Sequence, residues 1–217
     1  MAGAVSAAAL AWFHGNGYLL YYGDAQAHLN IARRIIDSRT PGPFQFGTVW
    51  LPLPHAAMLP FVRFDDWWRS GLAGGIPSAI AFTLASGFLF ASVRRIFSSS
   101  LVAWTAMALF LTNPNALYLQ STAMTEAYFF AALFALLYFS HLARQKRSSW
   151  AAAAAGLACC AATLCRYEGW FLIPFVALYL LTTRSIRPAF VFTALASIGP
   201  VSWLAHNLYY YSDALEF

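Results

Sequence analysis

Seven apolar stretches separated by polar loops constrain this chain more than any other feature. They cover residues 2–22, 72–93, 101–119, 127–142, 150–164, 170–183 and 188–209. A bilayer core of about 30 Å takes roughly 20 helical residues to cross, so segments of this length read as membrane helices. Composition agrees: 60% of residues are hydrophobic and 10% charged, against about 25% charged in an ordinary soluble domain. The expected fold is all-α, a polytopic transmembrane helical bundle of about seven spans forming one module over residues 1–217.

The charges between those stretches set an orientation. Three loops carry only cations: Arg94-Arg95, Arg144 with Lys146-Arg147, and Arg184 with Arg187. By the positive-inside rule these loops are cytoplasmic. The eight acidic residues (Asp24, Asp37, Asp65, Asp66, Glu126, Glu168, Asp213, Glu216) then share the opposite face. The N-terminus is expected inside and the C-terminus outside. The net charge of +5 is divided between the faces with no long basic run, so nucleic acid is not an expected partner. Residues 2–22 lack a basic n-region and are interrupted by Gly15-Asn16-Gly17, so they read as a retained span rather than a signal peptide. The three cysteines, Cys159, Cys160 and Cys165, crowd one apolar segment as small buried side chains, without a disulfide framework. No internal repeat is visible, which weighs against a transporter built from repeats.

The non-membrane unit is the first loop, residues 23–70. Its opening, residues 24–37, places Ala25, Leu29, Ala32 and Ile36 on one helical stripe and reads as an amphipathic helix lying on the membrane surface. Pro41-Gly42-Pro43 ends it. The aromatic, proline-punctuated run from Trp50 to Pro60 suits the headgroup zone. The fifth and sixth spans are short, about 22 Å each at 1.5 Å per residue, so the Arg166-Tyr167-Glu168-Gly169 turn between them is expected below the membrane surface, lining a cavity. Thr112-Asn113-Pro114-Asn115 is a similar break.

Several side chains on that outer side can carry chemistry. Asp24 fits two roles: a general base taking a proton from an attacking hydroxyl, or an N-cap for the helix that follows it. His28 lies one turn later on the same face and can share a metal, pass a proton or bind phosphate, or be merely solvated. His55 is a weaker candidate of the same kind, and the spacing of two His and one Asp does not make a metal site. Glu126 either opens the fourth span, suited to the helix dipole, or takes part in catalysis. Arg166 either holds a lipid phosphate through its planar fork or pairs with Glu168. There is no nucleophilic triad, phosphate-binding loop or dinucleotide fingerprint, so no nucleotide or redox cofactor is expected, and a divalent metal is left open.

In order along the chain stand Tyr22-Gly23-Asp24-Ala25, His28-Leu29, Ala32-Arg33, Pro41-Gly42-Pro43, Gly47 through His55 (Gly-Thr-Val-Trp-Leu-Pro-Leu-Pro-His), Met124-Thr125-Glu126 and Arg166-Tyr167-Glu168-Gly169-Trp170. Together these resemble the C-type (GT-C) membrane glycosyltransferases, nearest to bacterial members of the protein mannosyltransferase and aminoarabinose transferase kind. The resemblance implies a catalytic aspartate in the first outer loop, matched by Asp24, in a bacterial inner or plasma membrane. It implies a sugar donor on a polyprenyl phosphate and a lipid, glycan or protein acceptor outside the cytoplasm. His28, Trp50, His55, Glu126, Arg166, Tyr167 and Glu168 are the substrate-binding candidates. The expected chemistry is an inverting displacement, with Arg166 offsetting the leaving phosphate and residues 24–37 with the Trp50 region bordering a prenyl groove. Two departures stand out. Many members carry Asp-Glu where this chain has Asp24-Ala25, which leaves a metal pair unmatched. Members also generally continue into further spans and a soluble domain, so a second membrane subunit, another copy of the chain or a longer enzyme is expected to complete the cleft. A transporter or flippase of a lipid-linked anion and a non-catalytic scaffold subunit are the alternatives.

Overall fold

The computed structural model describes residues 1–182 and 185–217, and among these the regular structure is entirely helical. Thr183, the expected end of the sixth span, and Arg184 of the third basic loop lie outside the described residues. The chain opens with α1 (Ala2–Gly15), and the first loop then builds α2 (Gly23–Ile36), a 3-10 turn (Pro43–Phe46), α3 (Leu53–Val62) and α4 (Asp65–Ser70). The bundle continues with α5 (Leu72–Phe97), α6 (Ser100–Leu111), α7 (Pro114–Leu119) and α8 (Glu126–Lys146). It closes with α9 (Ser149–Thr163), α10 (Glu168–Leu181), α11 (Arg187–Ala196) and α12 (Ile198–Tyr211).

Among the described residues, three segments are long and apolar enough to cross a membrane: Leu72–Phe97, Glu126–Lys146 and Arg187–Tyr211, the last made of α11 and α12 end to end. The other expected spans are shorter as helices, for reasons visible in the residues. α1 stops at Gly15, and Gly17 takes a φ of 74°, which ends the helix where residues 2–22 were expected to continue. The expected third span divides at Asn113, whose side chain accepts from the Ala116 amide and starts α7 on Pro114. That is a standard N-cap with proline at the first helical position.

Small residues let these helices approach closely. On the buried face of α9, Ala151, Ala152, Ala155 and Cys159 are fully covered. This tight contact between helices needs small side chains rather than a hydrophobic driving force. Cys159 and Cys165 are buried and Cys160 half-buried, all as free thiols. Nearby, α1 is fastened by a polar contact in which the Ser6 hydroxyl is 2.6 Å from Gln120 Oε1, with both residues about 1% exposed.

The first loop departs from the sequence expectation in two respects. The stripe of α2 is not free to lie on lipid, because Ala25, Leu29 and Ala32 share one buried core with Met58 and Val62 of α3 and Ala73 of α5. Only Ile36 of the expected stripe remains partly open, at 37% exposed. The segment from Trp50 to Pro60, expected in the headgroup zone, likewise contributes buried Leu51, Pro54, His55 and Met58. Arg33 locks the assembly: its guanidinium meets Asp37 at 2.6 Å and Asp65 at 2.7 Å, donates to the Val62 carbonyl and sits over the Trp68 ring.

The two ends of the bundle differ in charge. At one end Arg95 reaches Gln145 and Arg144 reaches Thr182. At the other, Arg166 meets Glu126 and Tyr211 donates to the Phe44 carbonyl. That second end carries the first loop and the acidic residues.

Candidate active site

Five separate pieces of chain line a single cavity of about 590 Å3 at the acidic end: the start of α2, the Trp50 segment, the start of α8, the α9–α10 turn and Phe217. Of the residues singled out from sequence, Asp24, His28, Trp50, Glu126, Arg166, Tyr167 and Glu168 all face this cavity. His55 does not reach it. Fully buried, it stands behind His28, with its Nε2 2.8 Å from His28 Nδ1.

Asp24 is exposed and belongs to the first turn of α2. The helix begins two residues earlier than the capping role requires, with Tyr22 at the cap position and no side-chain cap bond. The carboxylate therefore leaves the backbone amides alone and keeps only its favourable interaction with the helix N-terminus. Ala25 beside it is 0% exposed and faces the core, so a carboxylate in its place would point away from the cavity. Among the described residues no group of three or more His, Cys, Asp or Glu side chains is arranged to hold a metal ion.

Arg166 is held between two carboxylates. One arm is 2.9 Å from Glu126 and the other 3.0 Å from Glu168, while Thr125 Oγ1 lies at 3.4 Å. The hydrogen bond to Glu168 holds the Arg166 guanidinium above its ordinary pKa despite partial burial. The same bond holds the Glu168 carboxyl below its ordinary value. The partners are not equivalent: Glu126 is 21% exposed in its side chain and Glu168 63%. Local geometry sets the turn, since the Arg166 amide donates to the Ala162 carbonyl. A Cβ at Gly169 would come within 2.7 Å of the Ala162 backbone, so only glycine permits this approach. Trp170 then donates to the Thr163 carbonyl at 3.0 Å.

Tyr167 joins the first loop to the rest of the site. Its hydroxyl donates to the Thr48 carbonyl at 3.3 Å and accepts from Trp203 Nε1 at 3.1 Å. Its ring stacks on Phe217 at 4.8 Å. The Leu53 amide donates to the Leu164 carbonyl, a second tie between loop and turn. Thr125, Cys165 and Phe217 also line the cavity and were not singled out, because each is a common residue type whose place there comes only from tertiary packing.

The two histidines are held neutral. Burial lowers the pKa of His28 to about 4, although Asp24 opposes the shift. Burial, then the charge of His28, lowers that of His55 to about 3. Trp50 packs against His28 with ring centroids 4.8 Å apart. Depressed histidine pKa values mean that the unfolded chain binds more protons than the folded one between about pH 4 and 6.5. This stability is therefore complete above 6.5 and is lost as pH falls toward 4. Glu168, depressed by Arg166, adds loss in the same direction at lower pH. The melting temperature should fall steadily from pH 6.5 to 4, and less steeply in a His28→Asn/His55→Gln variant; equal slopes would mean that the pair is already charged in the folded state.

Residues 69–206 match the model of the family described as dolichyl-phosphate-mannose-protein mannosyltransferase. This is well over half of the chain. The chain belongs to that family. No curated protein and no solved structure matches it. Membership makes it an integral membrane protein and a membrane glycosyltransferase of the GT-C type, and the family implies a lipid-linked sugar donor and an acceptor in a membrane setting. It gives no support to the transporter or the scaffold. The family match covers Glu126, Arg166, Tyr167 and Glu168, but begins at Arg69, beyond Asp24, His28, Trp50 and His55.

Proposed function

We propose that the cavity transfers a sugar from a polyprenyl phosphate to an acceptor hydroxyl with inversion at the anomeric carbon, and that Asp24 is the general base. The observation that carries this reading is the convergence of Asp24 with Glu126, Arg166 and Glu168 on one cavity from distant parts of the chain. The acceptor oxygen attacks the anomeric carbon, its proton passes to Asp24, and the bond from that carbon to the phosphate oxygen breaks. Polyprenyl phosphate leaves with the electron pair. A single displacement of this kind inverts the configuration.

The charges suit such a step. Three carboxylates face one arginine, an excess of negative charge that favours the oxocarbenium-like character of a sugar in flight. Arg166 addresses the opposite charge on the leaving phosphate. Its exposed partner Glu168 is the one to yield: a phosphate oxygen takes over the second arm while Glu126 keeps the first. Asp24 is exposed, and bound donor and acceptor would exclude water from around it, strengthening its interaction with the reacting charges. His28, held by His55, and Trp50 form the wall on the α2 side.

Sidedness is part of the proposal. Seven crossings follow if α1 with the segment after it, and α6 with α7, each traverse the membrane once, with the cavity outside and the N-terminus inside. Externally added thiol reagents should label cysteines placed at Phe44 or Asp213 and miss those at Arg95 or Lys146; labelling at Lys146 in intact cells would overturn the layout. The reaction itself is read from the lipids of cells lacking the protein, where mass spectrometry should find an accumulated polyprenyl-phosphate sugar. An unchanged pool of lipid-linked sugars would count against the donor.

A further inference from the structure

All ion pairs among the described residues lie at the cavity end of the bundle. At the opposite end, between the last turns of α5 and α8, a second cavity of about 470 Å3 is lined by Arg94, Arg95, Ser98, Gln145, Tyr138 and Phe90. No carboxylate lines it. Arg95 reaches only neutral partners: Gln145 Oε1 at 3.1 Å, the Tyr138 hydroxyl at 3.5 Å and the Tyr138 ring at 5.1 Å. Its Nε is buried without an acceptor. Arg94 is exposed and makes no ion pair among the described residues.

The end of α5 explains part of this arrangement, because cations suit the negative end of a helix dipole. A dipole, however, requires neither a cavity nor two guanidinium groups opening onto it. Two uncompensated arginines with a hydroxyl and an amide beside them match the oxygens of a phosphate, which arginine binds through paired N–H donors. The other wall, Phe90 and Tyr138, is apolar. Phe97 and Leu101 close by are 62% and 77% exposed, a surface for hydrocarbon rather than water. A soluble phosphate ion would leave that wall unused.

We propose that this cavity binds the phosphate of an anionic glycerophospholipid, with Arg94 and Arg95 on the phosphate and the acyl chains along α5 and α8. The site is independent of the glycosyl-transfer reading. Native mass spectrometry of the purified, delipidated protein tests it by titration with phosphatidylglycerol and with phosphatidylcholine. Phosphatidylglycerol should bind more tightly. Arg94→Gln and Arg95→Gln should each weaken its binding roughly fivefold, the usual worth of one basic residue at an anionic lipid, with a smaller loss for phosphatidylcholine, whose choline already offsets the phosphate charge. Lys146→Gln removes the same charge outside the cavity and should change nothing. Arg94 is exposed and unpaired, so its variant remains informative even where Arg95→Gln fails to fold. Equal affinity for the two lipids, an equal loss in Lys146→Gln, or competition by glycerol phosphate at the concentrations where the lipid binds would each overturn the proposal.

Discussion

Asp24→Asn should abolish sugar transfer while leaving the protein folded. A positioned general base contributes about 10²- to 10⁴-fold, and an amide cannot accept the acceptor's proton at neutral pH. The structural consequence is small, because the Asp24 side chain makes no cap bond and is exposed. Only its interaction with the helix N-terminus is lost, worth about 0.5 kcal/mol. The melting temperature should therefore stay within a few degrees of the parent while kcat falls by two orders of magnitude or more. Asp24→Ala should behave in the same way, since no cap is removed. Retained turnover in either variant would exclude the base.

The second large effect belongs to Arg166, where substitutions of the arginine and of its partner Glu168 should act in opposite directions. Arg166→Gln removes the positive charge facing the leaving phosphate and should lower kcat/KM for the donor by about 10²-fold or more. Arg166→Lys keeps the charge but cannot span Glu126 and the phosphate together, so an intermediate loss is expected. Glu168→Gln should lower the donor KM, because it removes a competitor for the second arm and one negative charge near the phosphate. Stability follows a different order. Glu126 already has a buried Oε2 without a partner, and losing Arg166 leaves the whole carboxylate unpaired, a cost of about 1–3 kcal/mol. Glu168, mostly exposed, has little to lose. If the Arg166 variants lose stability and the donor KM moves in none of the three, Arg166 is a clip between α8 and α10 rather than a phosphate ligand.

The residues of the cavity were legible in the sequence to the extent that their chemistry was local. A carboxylate after an apolar stretch, and opposite charges in a turn between two short helices, stand out because each is costly near a membrane. What they touch was not legible. Arg166 was read as either a phosphate ligand or the partner of Glu168, and its contact with Glu126, 40 residues away, has no local signal. The pairing of His28 with His55 across 27 residues is of the same kind. Periodicity found the stripe on α2 but could not say what covers it, since lipid and the apolar side chains of α3 and α5 demand the same apolar face. The interruptions at Gly15-Asn16-Gly17 and at Asn113-Pro114 were visible as residue types; hydropathy alone carried the expected spans through them.

If this cavity cleaves the bond between a sugar and a lipid phosphate, polyprenyl phosphate must be released as sugar is transferred. The most direct measurement is the polyprenyl phosphate released, per sugar transferred, by purified protein in vesicles made with the lipid extract of cells that lack it. One polyprenyl phosphate should appear for each sugar transferred, and none above background with Asp24→Asn. Movement of intact lipid-linked sugar between leaflets without release of polyprenyl phosphate, or equal release by the Asp24→Asn protein, would contradict the account.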